Sequence, residues 1–171
     1  GTGGCGNDTA MRTVTVTAPV EAGALSGTQN ICIGGTTTFT SNGDAGGTWV
    51  SVDEATATVV NGVVTGEAAG TTTIYYIMEG SGGCGDDTAA RTVTVTAPVE
   101  AGALTGTEAI CIGGTSTLTS DGDAGGSWIS TNTSIATVSN GTVTGVAAGL
   151  DTIYYVKYGT GGCGNDTAMI E

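Results

Sequence analysis

The sequence predicts an all-β fold in which one unit is used more than once, and three observations carry that expectation. Gly, Thr, Val and Ala dominate the 171 residues, a profile of short β-branched strands joined by glycine turns. Apolar residues alternate with Thr and Ser at period two, and nowhere does a segment carry the spacing and caps of an amphipathic helix. The chain also repeats itself. Cys5, Cys84 and Cys163 stand in GTGGCGNDTAM, GSGGCGDDTAA and GTGGCGNDTAM, with steps of 84 − 5 = 79 and 163 − 84 = 79. Cys32 and Cys111 keep the same step, 111 − 32 = 79, inside ICIGGTTTFTSNGDAGGTW and ICIGGTSTLTSDGDAGGSW. So regular a recurrence means one structural unit employed repeatedly, with the chain a window on a longer array.

The strands of the first unit follow in order. Glycines break the first into Gly23–Gly27 and Ile31–Ile33; Thr36–Ser41 is β-branched around Phe39, and Thr48–Val52 alternates around Trp49. Ala57–Val60 and Val63–Gly66 flank Asn61-Gly62, and Asn140-Gly141 recurs in the next unit; Asn-Gly between apolar runs is the strongest short-range hairpin signal. Thr71–Met78 and Arg91–Ala97 complete the unit. The two prolines, Pro19 and Pro98, each lie in TVTVTAPVEAGAL and mark the boundaries. Residues 1–18 are then the final strand of a preceding repeat, 19–97 a first repeat, and 98–171 a second whose final strand is missing. A joint this short leaves little freedom between units, so they should abut as a semi-rigid rod.

Composition narrows the function. Sixteen acidic against three basic residues give a formal charge of −13, which repels phosphate backbones and anionic bilayers, so neither nucleic acid nor a membrane surface is an expected partner. No run is long and apolar enough to insert into a membrane. Histidine is absent, which removes the commonest general base and transition-metal ligand, and no cofactor is expected.

GTWVSVDEATATVVNGVVTGEAAGTTTIYY and GSWISTNTSIATVSNGTVTGVAAGLDTIYY resemble the bacterial immunoglobulin-like domain of group 2, the module of intimin- and invasin-type adhesins. The shared features are a Trp-x-Ser strand, Ala-Thr-Val, an Asn-Gly hairpin, Val-Thr-Gly, Ala-Ala-Gly and a Thr-Ile-rich strand. The resemblance implies tandem immunoglobulin-like β-sandwiches stacked end to end, used as spacers in surface proteins, and no catalytic residue. It does not account for the cysteines.

Five cysteines in a β-rich chain of this kind read as disulfides. One pairing lies inside each unit, Cys32 with Cys84 and Cys111 with Cys163. With the strand order of a sandwich, however, Cys32 and Cys84 fall at opposite poles, separated by roughly 20–25 Å, whereas a disulfide needs Cα atoms within about 7 Å. The other pairing staples neighbouring units: Cys32 with Cys163, Cys84 with the unit before, Cys111 with the unit after, and Cys5 with a partner outside the chain.

Further constellations have a functional and a plainer reading. Asp-Thr before a small or apolar residue makes Thr9, Thr88, Thr152 and Thr167 glycosylation candidates, since the pattern resembles an O-glycosylation motif of some Gram-negative surface proteins; it is also an ordinary strand entry. Asn42-Gly43-Asp44 and Asp121-Gly122-Asp123 look like the start of a calcium loop, but the Glu needed at its twelfth position is absent, and a polar turn is the simpler reading. Asp86-Asp87 and Asn165-Asp166 are weaker oxygen donors of the same kind. Tyr75, Ile77, Tyr154, Val156 and Tyr158 share a row opposite the core-facing Ile74, Tyr76, Ile153 and Tyr155; exposed, that row would form a lateral contact ladder along a rod.

The leading expectation is a structural repeat of an extracellular filament or stalk, with neighbouring copies as partners and any host-cell or surface ligand at a tip elsewhere. One alternative is a subunit assembled by strand donation, Arg12–Ala18 of one chain completing the sandwich of another. Another is an adhesin module binding through Asn42–Gly47 and Asp121–Gly126. An enzyme is not expected.

Overall fold

A computed structural model describes residues 8–171; Cys5 lies outside the described residues. The described chain is all β, with no helix. Up to Thr96 it forms β1 (Leu25–Ser26), β2 (Asn30–Cys32), β3 (Thr36–Thr38), β4 (Thr40–Ser41), β5 (Thr48–Ser51), β6 (Ala57–Val60), β7 (Val63–Gly66), β8 (Gly70–Met78) and β9 (Asp87–Thr96). There follow β10 (Leu104–Thr105), β11 (Thr115–Thr117), β12 (Thr119–Ser120), β13 (Ser127–Ser130), β14 (Ala136–Ser139), β15 (Thr142–Gly145), β16 (Ile153–Lys157) and β17 (Asp166–Ile170).

In the first half, β2-β9-β8-β5 make one sheet, β3-β7-β6 a second, and β1 pairs with β4. Most pairings recur 79 residues later: Trp49↔Tyr76 becomes Trp128↔Tyr155, and Thr36↔Thr65 becomes Thr115↔Thr144. The Asn-Gly turns form as the sequence predicts. Asn61 and Gly62 take φ of 50° and 82°, Asn140 and Gly141 of 48° and 81°, the left-handed pair that a two-residue hairpin requires.

Two expected boundaries shift for physical reasons. Thr36–Ser41 is not one strand, because the chain changes sheets within it: β3 pairs with β7, whereas β4 pairs with β1. Phe39 sits at the change, donating its N–H to Gly62 O at 2.8 Å and burying its ring to 1% exposure. The last strand begins at Asp87, not Arg91, since β8 is long enough to pair Met78 with Asp87. By the same extension, the second half does possess the start of a final strand, β17, paired from Lys157↔Asp166 to Ile153↔Ile170.

Phe39, Ile74, Val64 and Val93 form the centre of the first core, with Ile31, Ala57 and Val95 around them. Trp49 is half-buried against this cluster, and Tyr76 packs on it with ring centroids 4.7 Å apart. Arg91 closes one side. Its guanidinium donates to Leu25 O (2.9 Å) and Gly27 O (2.6 Å) and lies 5.5 Å over the Phe39 ring.

Of the strand expected over 1–18, residues 8–18 are described. They form no strand and are exposed throughout their length. DTAMRTVTVT at 8–17 differs from DTAARTVTVT at 87–96 in one residue, yet the second copy is β9 and the first is not strand at all. Val93 and Val95 are 0% and 2% exposed, while their counterparts Val14 and Val16 are 83% and 90% exposed. Strand formation here is set by the ladder partner, not by local propensity.

Phe39 anchors both sheets, so Phe39→Ala should lower unfolding stability by about 3–5 kcal/mol. Urea titration followed by Trp fluorescence measures it, with Val52→Ala, at a residue 64% exposed, as a near-silent control.

Candidate functional site

The structure joins Cys32 to Cys163, with an S–S distance of 2.08 Å and Cα atoms 4.8 Å apart, across a sequence separation of 131. The within-unit pairing is therefore not adopted: Cys84 and Cys111 are free. Cys32 ends β2, whose parallel pairing to β9 sets Cys32 beside Thr96. Cys163 arrives from the other side on a tight turn, its N–H donating to Thr160 O at 3.1 Å. Gly161 and Gly162 in that turn have φ of 61° and 88°, and a Cβ on Gly162 would stand 3.1 Å from Asn30 O. Both glycines of GGCG are thus needed for the turn to approach the end of β2. Cys163 Sγ also lies 3.4 Å from the carbonyl oxygens of Thr96 and Ala97.

The preceding GGCG turn repeats this arrangement. Gly82 and Gly83 have φ of 63° and 88°, Cys84 N–H donates to Ser81 O at 3.1 Å, and the Cys84 thiol donates to Thr17 O at 3.5 Å. Cys111, the counterpart of Cys32, is exposed, and no strand forms at Ala109–Cys111 where β2 would recur.

Beside Cys111 lies an apolar groove of about 430 Å³, lined by Ile110, Leu118, Val143, Gly145, Ile153 and Ile170 among others. In the first half the equivalent space is filled. Val95 lies against Gly66, where a Cβ would come within 2.8 Å of it, and Gln29 Nε2 donates to Thr92 O and Oγ1 at 3.1 and 2.9 Å.

The glycosylation candidates divide. Thr9, Thr88 and Thr167 are exposed, whereas Thr152 is half-buried. The Asp before three of them has a structural task that sequence reading missed: Asp87 Oδ2 accepts from Ala22 N and Asp166 Oδ2 from Ala101 N, both at 2.7 Å. Asp151 accepts from Ser130 Oγ (2.8 Å), Thr131 Oγ1 (2.6 Å) and Asn132 N (2.8 Å). Partial burial pushes its pKa up, but these donors outweigh that and hold it below the usual carboxylate range.

The loops considered for calcium or adhesion are tied to their own fold. Asn42 Oδ1 and Asp44 Oδ2 accept from Ala24 N and Glu21 N, and Asp121 and Asp123 repeat this with Ala103 N and Glu100 N. Tyr76 Oη donates to Asp44 O and accepts from Gly47 N, both at 2.8 Å, closing the loop from beneath. No group of three or more metal-ligating His, Cys, Asp or Glu side chains occurs among the described residues. In the lateral row Tyr75, Ile77, Tyr154 and Val156 are half-buried and Tyr158 is 53% exposed.

No family model and no curated protein matches the chain. Among solved structures it is similar to a SusE-like, surface-located polysaccharide-binding protein from the heparin utilisation locus of Bacteroides thetaiotaomicron. The identity is 13% and the TM-score 0.31, over 89% of this chain and 33% of that one. A score this low does not bear on fold or ligand.

Two outcomes are expected. Cys32→Ser should lower stability by up to about 5 kcal/mol in the chain-entropy model, because the bond closes a long loop; guanidinium titration with and without reductant reads it. Asp151 has its pKa lowered by folding, so its stabilisation is complete above the unfolded value near 3.8 and is lost as pH falls through the lower folded value. Asp151→Asn should therefore weaken the protein at pH 7 and flatten the acid limb of its stability curve, measured as urea midpoints from pH 7 to 3.

Proposed function

We propose that the chain is a structural segment of an extracellular filament or stalk, built of tandem immunoglobulin-like sandwiches braced end to end and performing no catalysis. The observation that carries this reading is the Cys32–Cys163 bond, which fastens the end of one sheet to a turn 131 residues on. A bond so placed spans Pro98 and removes the hinge freedom expected there. The recurrence of strand pairings at a fixed offset supports one module used serially, and a lasting disulfide suits an oxidising compartment outside the cytosol. The lateral row ending in exposed Tyr158 and the exposed Thr9, Thr88 and Thr167 are compatible with bundling and glycan attachment on such a rod.

Small-angle scattering of the oxidised chain, then of the chain with reductant or carrying Cys32→Ser, tests the brace. The reading expects one narrow distribution of dimensions that broadens and lengthens once the bond is gone. A profile indifferent to the bond would overturn it.

A further inference from the structure

We infer that the outer face of the sheet holding β5, β8 and β9, repeated on β13, β16 and β17, is where two copies of this chain pack side by side. The inference rests on the filament reading and deepens it by naming the partner of its lateral row.

Strand alternation builds the face. Trp49, Tyr76, Val93 and Val95 turn into the core, so the residues between them face outward. Register then sets Val50 beside Tyr75 and Ala90, and Thr48 beside Ile77 and Thr88, in two rows across three strands. The second unit repeats both rows, as Ile129, Tyr154 and Met169 and as Ser127, Val156 and Thr167. Val52 extends the first unit's face just past the end of β5, where its N–H donates to Thr73 O. Val50, Val52 and Ile129 are 39%, 64% and 43% exposed, and Tyr75 and Tyr154 beside them are half-buried.

Charge distinguishes this face from the rest of the surface. Of the sixteen acidic residues only Asp87 and Asp166 lie in strands. The six strands concerned hold two further charges, Arg91 and Lys157, and all four side chains turn away from the outer rows. Asp87 and Asp166 accept from Ala22 N and Ala101 N, Arg91 donates to Leu25 O and Gly27 O, and Lys157 donates to Ala124 O. At a net charge of −13, copies of this chain repel wherever their loops meet, but across this face they approach with no carboxylate between them. The opposite sheet also exposes Val60 and Val63, at 67% and 42%, yet 79 residues on those positions are Ser139 and Thr142. Of the two faces, the one around Tyr75 keeps its apolar character in both units. A second copy, carrying the same rows at the same interval, is the partner that fits a surface so repeated.

Size sets the strength of the contact. Three strands about 4.8 Å apart, each giving three outward residues about 6.6 Å apart, cover roughly 300 Å². A stable interface takes about 800 Å² from each partner. One unit therefore holds a copy only weakly, and two units acting together make the contact effective. Association is reversible, and salt strengthens it by screening the carboxylates on either side. Thr88 and Thr167 stand in the rows themselves, so a glycan on either would block the face.

The test is sedimentation velocity of the 171-residue chain, its free thiols alkylated and its mass matching the bare sequence, at rising concentration in low and in high sodium chloride. Reversible dimers that grow with concentration and with salt are expected. Val52→Asp and Ile129→Asp should each weaken them, because each buries an unpaired carboxylate at the contact, and the double variant should abolish them. Val52 is 64% exposed and has little packing to lose, so its variant should keep the parent melting temperature. Val60→Asp adds the same charge at a residue 67% exposed on the opposite sheet and should leave association unchanged. A chain that stays monomeric throughout would overturn the proposal and leave the face to a partner of another kind. Dimers that weaken with salt, or that respond to Val60→Asp as they do to Val52→Asp, would overturn it too. The Cys32–Cys163 brace is read from scattering of the dilute monomer, so the two readings fail separately.

Discussion

Every strand must find partners for its backbone donors and acceptors, and in this chain the pairing of β8 with β9 is where that requirement organises everything around it. From Gly70↔Val95 to Met78↔Asp87 the ladder is unbroken. On its far side β9 takes up β2 in parallel, which places Cys32 at the junction, buries Val93 and Val95, and lets Arg91 reach Leu25 and Gly27. Where the second half of β9 has no counterpart, the effects are lost together. Strand β2 does not recur, β16 begins at Ile153 although β8 begins at Gly70, and the core opens into a groove. The two halves thus differ in the partners that this stretch of strand provides.

Much of the fold was legible in the sequence. Ala57–Val60 and Val63–Gly66 appear with the bounds expected of them, because Asn61-Gly62 fixes both turn type and register. Alternation in TTTIYYIM put Ile74 and Tyr76 on the core side, and both are buried. The division of TTTFTS was not legible, since its pattern is the same whether one sheet or two receives it; only the partners of Thr38 and Thr40 decide that. Nor could sequence separate 8–17 from 87–96, which are nearly the same string in different company.

The cysteines show the same division of labour between local signal and context. GGCG announces a tight turn, and the left-handed glycines bear that out. The pairing of Cys32 with Cys163 follows from strand order and from the pole that each occupies. The aspartates following GGCG were harder to read. Their pattern suggests modification of the neighbouring threonine, but the carboxylates of Asp87 and Asp166 hold Ala22 and Ala101 by their amides, a role invisible until β9 and β17 are placed beside the start of each unit.

The Cys32–Cys163 bond has a mechanical corollary. A pull applied at the two ends of the chain would run along the backbone to Cys32, cross the sulfurs to Cys163, and leave by the last strand. Nearly all of both cores lies in the covalent loop between those residues and would be shielded from the tension. Stretching would draw out only the short segments outside the loop while the bond held, so extensibility would be governed by the redox state of one pair of atoms.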